Sequence, residues 1–201
     1  MGVKAPVTLR INPDVDAKTH AKISTGKAEN KFGIDIEQAA QFYSAAARMK
    51  GIRIVGLAVH IGSQLTDIAP YRAAFLKIAE LAQTLRKAGL TVERIDLGGG
   101  VGIGYPDEAT IDLKEYAALV KEIISPLGTK IEIEPGRSIV GNAGLLVSRV
   151  ITVKAGVSRK FVIVDAAMND LIRPSLYDAY HGIIPVTEPA SDAPVDRCDV
   201  V

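Results

Sequence analysis

The segment GIRIVGLAVHIGSQ, residues 51–64, contains a mostly apolar run between a glycine and a polar loop. A short apolar run of this kind, rich in β-branched residues, is typical of a strand buried inside a parallel sheet. Comparable runs occur at residues 7–11, 92–97 and 130–134. The sequence therefore predicts four strands of one sheet.

The segments between these strands have the apolar spacing of amphipathic helices. Apolar residues recur every three or four positions within residues 36–47, 71–85 and 113–127, which predicts helices that each bury one side. After each helix a glycine is expected to form a left-handed cap. These glycines are Gly51, Gly89 and Gly128. The alternation of strand and helix, at a period of roughly 40 residues, indicates an α/β fold with helices covering the sheet.

The pattern changes after the fourth strand. Residues 145–153 and 161–165 are rich in β-branched residues with no clear helix between them, and residues 198–201 have the character of a strand start. We therefore predict that residues 1–140 form half of a (β/α)8 TIM-type barrel and that residues 141–201 begin an antiparallel β-domain. An open doubly wound sheet is the alternative, but it leaves the C-terminal β region without a partner sheet.

Composition narrows the classes of function. The 201 residues are 48% hydrophobic and 23% charged, with a mean hydropathy of +0.19. A net charge of +1 gives no bulk attraction to nucleic acid or to an anionic membrane, and we expect neither as a partner. There is no apolar run of about 18 residues and no signal-peptide core at the start. The single cysteine, Cys198, excludes an internal disulfide and predicts a cytoplasmic protein.

Unusual side chains follow three consecutive strands. The segments are residues 60–64 (HIGSQ), 98–100 (GGG) and 134–137 (EPGR). Because the carboxyl ends of parallel strands form one rim, these segments are expected to meet there. Taken singly, each has a structural explanation: His60 as an ordinary core or surface histidine, the glycines as a tight turn, and Glu134 as the ionic partner of Arg137.

Taken together, the three segments have the chemistry of a pyridoxal phosphate pocket. Glycine N–H groups can approach a phosphate closely, a buried Glu134 can keep a ring nitrogen protonated, and His60 can stack on the ring. The spacing of acidic residues excludes a dinucleotide fingerprint, and no P-loop lysine is present. Further along, Arg173 and Tyr177 can bind a substrate carboxylate, although composition alone favours a solvated loop there.

The same residues resemble a known family. The matching segments, in family order, are residues 10–13 (RINP), 24–33 (STGKAENKFG), 60–64, 96–100 (DLGGG), 134–137 and 165–177, with His181. Together they are similar to the (β/α)8-barrel pyridoxal-phosphate decarboxylases. The GGG and EPGR segments are shared with ornithine and arginine decarboxylases, whereas IRPSLY, residues 172–177, is more specific to the diaminopimelate decarboxylase branch.

The resemblance implies a role for each site residue. His60 is expected to stack on the cofactor ring, and Glu134 to pair with the pyridine nitrogen. The phosphate is expected to be held by Ser63, Gly98, Gly99, Gly100 and the backbone of Pro135, Gly136 and Arg137. Substrate carboxylates are expected to be held by Arg137, Arg173 and Tyr177. In that branch a homodimer converts a small amino acid, meso-2,6-diaminopimelate, to L-lysine and CO2 in lysine biosynthesis; no metal site is expected.

Some family features have no counterpart in this sequence. The Schiff-base lysine of the family lies on the first barrel strand, and neither Lys4 nor Lys31 stands in that context. Cys198 is followed by Asp199 rather than by the Glu-Ser of the family's Cys-Glu-Ser motif, and the C-terminal active-site tyrosine is missing. We therefore expect an internal piece of about half the enzyme, with no catalytic residue of its own and no turnover by itself.

Two alternatives to this interpretation stay open. One is a different decarboxylase of the same family, acting on ornithine or arginine. The other is a non-catalytic, decarboxylase-like binding protein. Under any of them, half a barrel exposes a sheet edge and apolar surface, so the isolated chain is expected to aggregate or to be marginally stable.

Overall fold

The computed structural model describes residues 2–17, 25–26, 31–105 and 109–201. These residues form two compact units, 1–143 and 144–201, each with its own sheet. Within the predicted STGKAENKFG segment, residues 24 and 27–30 lie outside the described residues.

The first unit is built on a five-stranded parallel sheet. Its strands are β1 (Ala5–Asn12), β2 (Ile34–Asp35), β3 (Ile52–Val59), β4 (Arg94–Asp96) and β5 (Lys130–Glu132). They are arranged in the order β2-β1-β3-β4-β5, with every neighbouring pair parallel. The four predicted strands are confirmed. The two-residue strand β2 was not predicted, because so short a run has no periodicity of its own.

Helices connect the strands of this sheet. They are α1 (Ile36–Ala47), α2 (Ala69–Lys87), α3 (Leu113–Ile123) and the short α4 (Arg137–Val140). Asp35 and Asp112 are the N-caps of α1 and α3: Asp35 accepts from Glu37 N–H at 3.0 Å and Asp112 from Lys114 N–H at 2.9 Å. At α2 the N-cap is Ile68, and the preceding Asp67 accepts from Ala69 N–H at 2.9 Å. Such caps satisfy N–H groups that have no partner within the helix.

Two of the three predicted glycine caps are confirmed. Gly89 follows α2 with φ +79°, and Gly128 ends a 3-10 turn after α3 with φ +63°. The prediction for Gly51 is wrong, because α1 already ends at Ala47 and Arg48 caps it in a right-handed conformation.

The core of the first unit lies between the sheet and its helices. Leu57 of β3 and Ile95 of β4 are completely buried, and Tyr43 of α1 is buried against them in the same cluster. Tyr71 and Phe75 place the amino-terminal turns of α2 in this core. Each large side chain buried in this way contributes about 1.5–3 kcal/mol of transfer free energy.

The second unit contains a small three-stranded sheet. Its elements are β6 (Val150–Ala155), β7 (Lys160–Val164), α5 (Arg173–Tyr177) and β8 (Asp199–Val200). The pair β6–β7 is antiparallel, as predicted. The expectation of a wholly antiparallel region is wrong at β8, which pairs parallel to β7 because the long connection through α5 returns the chain in the same direction. Every residue of β6 is exposed.

Every helix in the described ranges is too short or too polar to span a lipid bilayer.

Candidate functional site at the carboxyl ends of the strands

Backbone hydrogen bonds join the carboxyl ends of β3, β4 and β5. Glu134 N–H donates to the Gly98 carbonyl at 2.8 Å, which links the EPGR segment to the glycine run. Leu65 N–H donates to the Gly100 carbonyl at 2.9 Å, which links the glycine run to the loop after β3. The three segments that the sequence assigned to one rim therefore lie side by side.

Each glycine of the run 98–100 stands where a side chain would strike a neighbouring carbonyl. An added Cβ would lie 2.2 Å from Val59 O at Gly98, 2.0 Å from Glu134 O at Gly99 and 2.0 Å from Gly62 O at Gly100. Gly98 and Gly100 also have φ values of +68° and +96°, in the left-handed region that favours glycine. The run is therefore required for the close packing of three loop backbones.

Two of the three glycine N–H groups already have acceptors. Gly98 N–H donates to Asp96 Oδ1 at 2.9 Å, and Gly99 N–H donates to His60 Nδ1 at 3.2 Å. Among the described residues, Gly100 N–H donates no hydrogen bond. Gly100 thus offers the N–H group of the run that has no partner among the described residues, and the phosphate cradle stays a prediction.

His60 is half-buried and held from two sides. Its carbonyl accepts from Thr25 Oγ1 at 3.0 Å and from Arg10 Nη2 at 3.4 Å, while its Nδ1 accepts from Gly99. Burial lowers the pKa of His60, the Arg10 guanidinium lowers it further, and the Asp96 carboxylate opposes both effects. The imidazole is therefore neutral at pH 7, and its proton lies on Nε2.

The side chains of the EPGR segment differ from expectation. Glu134 is exposed rather than buried, and it directly follows β5, which is an edge strand of its sheet. Arg137 donates through Nη1 to Gln64 Oε1 at 2.8 Å, so its side-chain partner is Gln64. Arg137 also begins α4, whose first N–H groups have no acceptor within the helix.

Gln64 connects the loops after β3, β4 and β5. Its Nε2 donates to the Ile103 carbonyl at 2.7 Å, and its Oε1 accepts from Ile103 N–H at 3.3 Å in addition to Arg137. Its backbone has φ +58°, a conformation that costs energy in a residue other than glycine. Ser63, the neighbouring predicted phosphate ligand, is half-buried.

Three residues at this rim were given no role from the sequence. Gln64 is the last residue of the HIGSQ segment, and Asp96 lies two residues before the first glycine of the run. Their positions in the sequence could therefore have indicated that both lie at this rim. Tyr71 was assigned only to the apolar stripe of its helix, yet its hydroxyl donates to the Gly99 carbonyl at 3.0 Å. No pattern in the sequence predicts that bond, because it depends on how α2 packs.

The remaining predicted substrate ligands belong to the second unit. Arg173 and Tyr177 are the first and last residues of α5, so an i, i+4 spacing places them on one side of that helix. Arg173 Nη1 lies 3.2 Å from His181 Nε2. The stretch that was predicted to be irregular therefore contains one short helix.

Comparison with known proteins agrees with this geometry. Residues 2–141 match the sequence profile of the pyridoxal-dependent decarboxylases, pyridoxal binding domain. The chain is 54% identical to the diaminopimelate decarboxylase of Neisseria meningitidis serogroup B over 183 residues, which are 91% of this chain and 44% of that protein. The chain thus spans about half the length of the curated relatives that it matches.

Solved structures extend the same relationship. The diaminopimelate decarboxylase of Helicobacter pylori complexed with L-lysine has a TM-score of 0.92 and 44% identity, covering all of this chain and 49% of that one. Lysine decarboxylase of Selenomonas ruminantium has a TM-score of 0.75 and 26% identity, covering 88% of this chain and 45% of that one. The α/β fold and the resemblance predicted from the motifs are confirmed. The chain belongs to the pyridoxal-binding domain family of the pyridoxal-dependent decarboxylases.

Proposed function

We propose that this chain supplies the cofactor-binding and carboxylate-binding groups for decarboxylation of meso-2,6-diaminopimelate to L-lysine and CO2. The observation that carries the proposal is the hydrogen-bonded junction of three strand ends, which gathers His60, the glycine run and Glu134 at one rim. The choice of substrate is supported by the names of the relatives and by the lysine complex of one of them.

The groups at the rim fit pyridoxal phosphate. When bound, this cofactor acts as an electron sink for the electron pair left behind by departing CO2. The phosphate is an acceptor for Gly100 N–H, for the first two N–H groups of α4 and for the Ser63 hydroxyl. The Glu134 carboxylate can accept a hydrogen bond from the protonated pyridine nitrogen. The neutral His60 imidazole offers a flat face to the cofactor ring.

Arg137 has capacity for a further ligand. A guanidinium has five N–H donors, and Gln64 accepts from one of its nitrogens. The donors that remain can hold a substrate carboxylate, and the contact with Gln64 limits how far the guanidinium can turn away. In the second unit, the guanidinium of Arg173 and the hydroxyl of Tyr177 are assigned the same type of ligand.

We extend the proposal to the domain organisation, oligomeric state, cellular location and partners of the protein. Residues 1–140 are assigned to the cofactor-binding barrel and residues 141–201 to the beginning of a β-domain. The working enzyme is assigned as a cytoplasmic homodimer. It is also assigned no nucleic-acid or membrane partner, and the near-zero net charge of this chain supports that assignment. Because neither Lys4 nor Lys31 stands in the family's lysine motif, the 201-residue chain is expected to bind the cofactor without turnover.

Titration of the 201-residue chain with pyridoxal phosphate, followed by the absorbance and fluorescence of the cofactor, tests this proposal. Glu134→Gln is expected to weaken binding by about tenfold, because it removes a charge-assisted hydrogen bond. Glu93→Gln is the matched control: Glu93 is also an exposed carboxylate, paired with Arg53 at the amino end of β4, and its loss should leave binding unchanged.

Two outcomes would overturn parts of the proposal. Absence of binding by the unmodified chain, or equal binding by the two glutamine variants, would refute the cofactor site. Release of CO2 from diaminopimelate by the 201-residue chain at enzyme-like rates would refute the statement that it lacks turnover of its own.

A further inference from the structure

We propose that Tyr71 is a positioning residue that fixes Gly99 and, through Gly99, holds His60 in the tautomer with its proton on Nε2. The inference deepens the proposed function, since His60 is the residue assigned there to the cofactor ring. The effect on cofactor binding rests on the proposed function, whereas the hydrogen bonds of Tyr71, Gly99 and His60 do not depend on it.

The two hydrogen bonds that carry the inference meet on one residue. The Tyr71 hydroxyl donates to the Gly99 carbonyl at 3.0 Å, and Gly99 N–H donates to His60 Nδ1 at 3.2 Å. A ring nitrogen that accepts a hydrogen bond carries no proton, so a neutral His60 must carry its proton on Nε2. The orientation of the Gly99 backbone therefore determines the tautomer.

Tyr71 is well suited to hold that backbone in place. Its side chain is only 1% exposed and packs against two aromatic rings, Tyr116 at 5.2 Å edge-to-face and Phe75 at 5.8 Å between centroids. Burial raises the pKa of Tyr71, and the neighbouring Tyr116 adds to this effect. The hydroxyl thus stays protonated and remains a donor at neutral pH.

Gly99 has little freedom to compensate for loss of the tyrosine hydroxyl. Its amide and its carbonyl are both engaged, and the space on its third side is occupied by the Glu134 carbonyl. Without the hydroxyl, the Gly99 carbonyl becomes a buried acceptor that must turn to find another donor. Such a turn moves the N–H away from His60 Nδ1 and frees the ring to take the other tautomer.

The charged groups around His60 set the direction of a second effect. Arg10 on β1 lowers the pKa of His60, and Asp96 on β4 raises it. The Gly99 N–H bond favours the neutral ring, because only an unprotonated Nδ1 can accept it. Weakening this bond while both charges stay in place is therefore expected to move the titration midpoint of His60 upward.

The test is nitrogen-15 NMR of the imidazole rings in the 201-residue chain, with Tyr71→Phe compared with Tyr43→Phe. Tyr43 is the matched control: it is equally buried, and its hydroxyl donates to a backbone carbonyl, that of Thr91, at 2.7 Å. The His60 signal is assigned by its loss in His60→Asn. Since the chain has three histidines, this assignment is needed before the tautomers are measured.

Tyr71→Phe is expected to raise the Nδ1–H fraction of His60 about fivefold, the change for one ordinary hydrogen bond, and to move its titration midpoint upward. Tyr43→Phe should leave both unchanged. Equal spectra for Tyr71→Phe and the unmodified chain, or the same change in both variants, would overturn the inference.

A second measurement covers the case in which Tyr71→Phe fails to fold. In the unmodified chain, amide hydrogen exchange should be slow at Gly99, whose N–H is bonded to His60, and faster at Gly100; fast exchange at both would refute the contact. These readouts need no cofactor. If the unmodified chain has the expected His60 tautomer but does not bind pyridoxal phosphate, the result refutes the proposed function and leaves the role of Tyr71 intact.

Discussion

Replacement of Gly99 by alanine should destabilise the first unit by about 2 kcal/mol. The φ of Gly99 does not lie in the left-handed region, so the variant tests a collision rather than backbone strain. Its new Cβ would lie 2.0 Å from the Glu134 carbonyl oxygen. Carbon–oxygen contacts in proteins normally lie at about 3.3–3.6 Å, so the two loops must separate by roughly 1.3 Å.

The magnitude follows from what that separation breaks. The bond from Glu134 N–H to the Gly98 carbonyl, 2.8 Å long, would stretch beyond hydrogen-bonding distance at a cost of about 1 kcal/mol. Forcing extra volume into a packed junction costs about 1–3 kcal/mol. Alanine also restricts the unfolded chain, which offsets about 0.4–1 kcal/mol, so the net loss is about 2 kcal/mol.

Urea unfolding followed by circular dichroism measures this loss. Gly51→Ala is the control, because Gly51 has open space where its Cβ would stand and no left-handed φ. That variant should have the stability of the unmodified chain or gain up to about 1 kcal/mol. A difference of less than about 1 kcal/mol between the two variants would refute the account of the glycine run as a backbone junction.

Three further predictions concern the first unit. Asp112→Ala should lower the free energy of unfolding by about 1 kcal/mol by removing the cap of α3, whereas Asp112→Asn should have little effect; urea titration compares them. Phe75→Ala should cost about 3–5 kcal/mol, since its ring is buried, and Phe75→Leu should cost clearly less in the same assay. Burial, with Glu93 adding to it, raises the pKa of Tyr43 to about 12, against 10.0 in the unfolded chain. Because the unfolded state loses that proton first, stability should fall as the pH rises from 10 to 12, and Tyr43→Phe should flatten this slope by about 1.4 kcal/mol per pH unit; an unchanged slope would contradict the burial of the hydroxyl.

Much of the first unit could be predicted because its elements follow local rules. The strand at 52–59 has the residue bounds that its apolar run indicated, and α1 has the bounds indicated by its periodicity. Glycine after α2 formed the expected left-handed cap. These features depend on residues close together in the chain, so a single sequence contains the information that determines them.

What could not be predicted depends on packing between distant residues. The exposure of Glu134 follows from the place of β5 at the end of the sheet, and the parallel pairing of β8 follows from the path of a long connection. The side-chain partner of Arg137, for which the sequence offered Glu134 only as a structural alternative, is Gln64 on a different loop. None of these properties is encoded in periodicity or spacing.

The glycine run has a structural role that the sequence motif did not predict. From the sequence, three consecutive glycines suggest N–H groups turned towards a phosphate. In the structure, two of those N–H groups are bonded to Asp96 and His60, and all three Cβ positions face carbonyls of neighbouring loops. The run is therefore required to bring three strand ends together and to orient His60. In the proposed cofactor site, phosphate donors are therefore also expected from outside the run, and the first two N–H groups of α4 are candidates for this role.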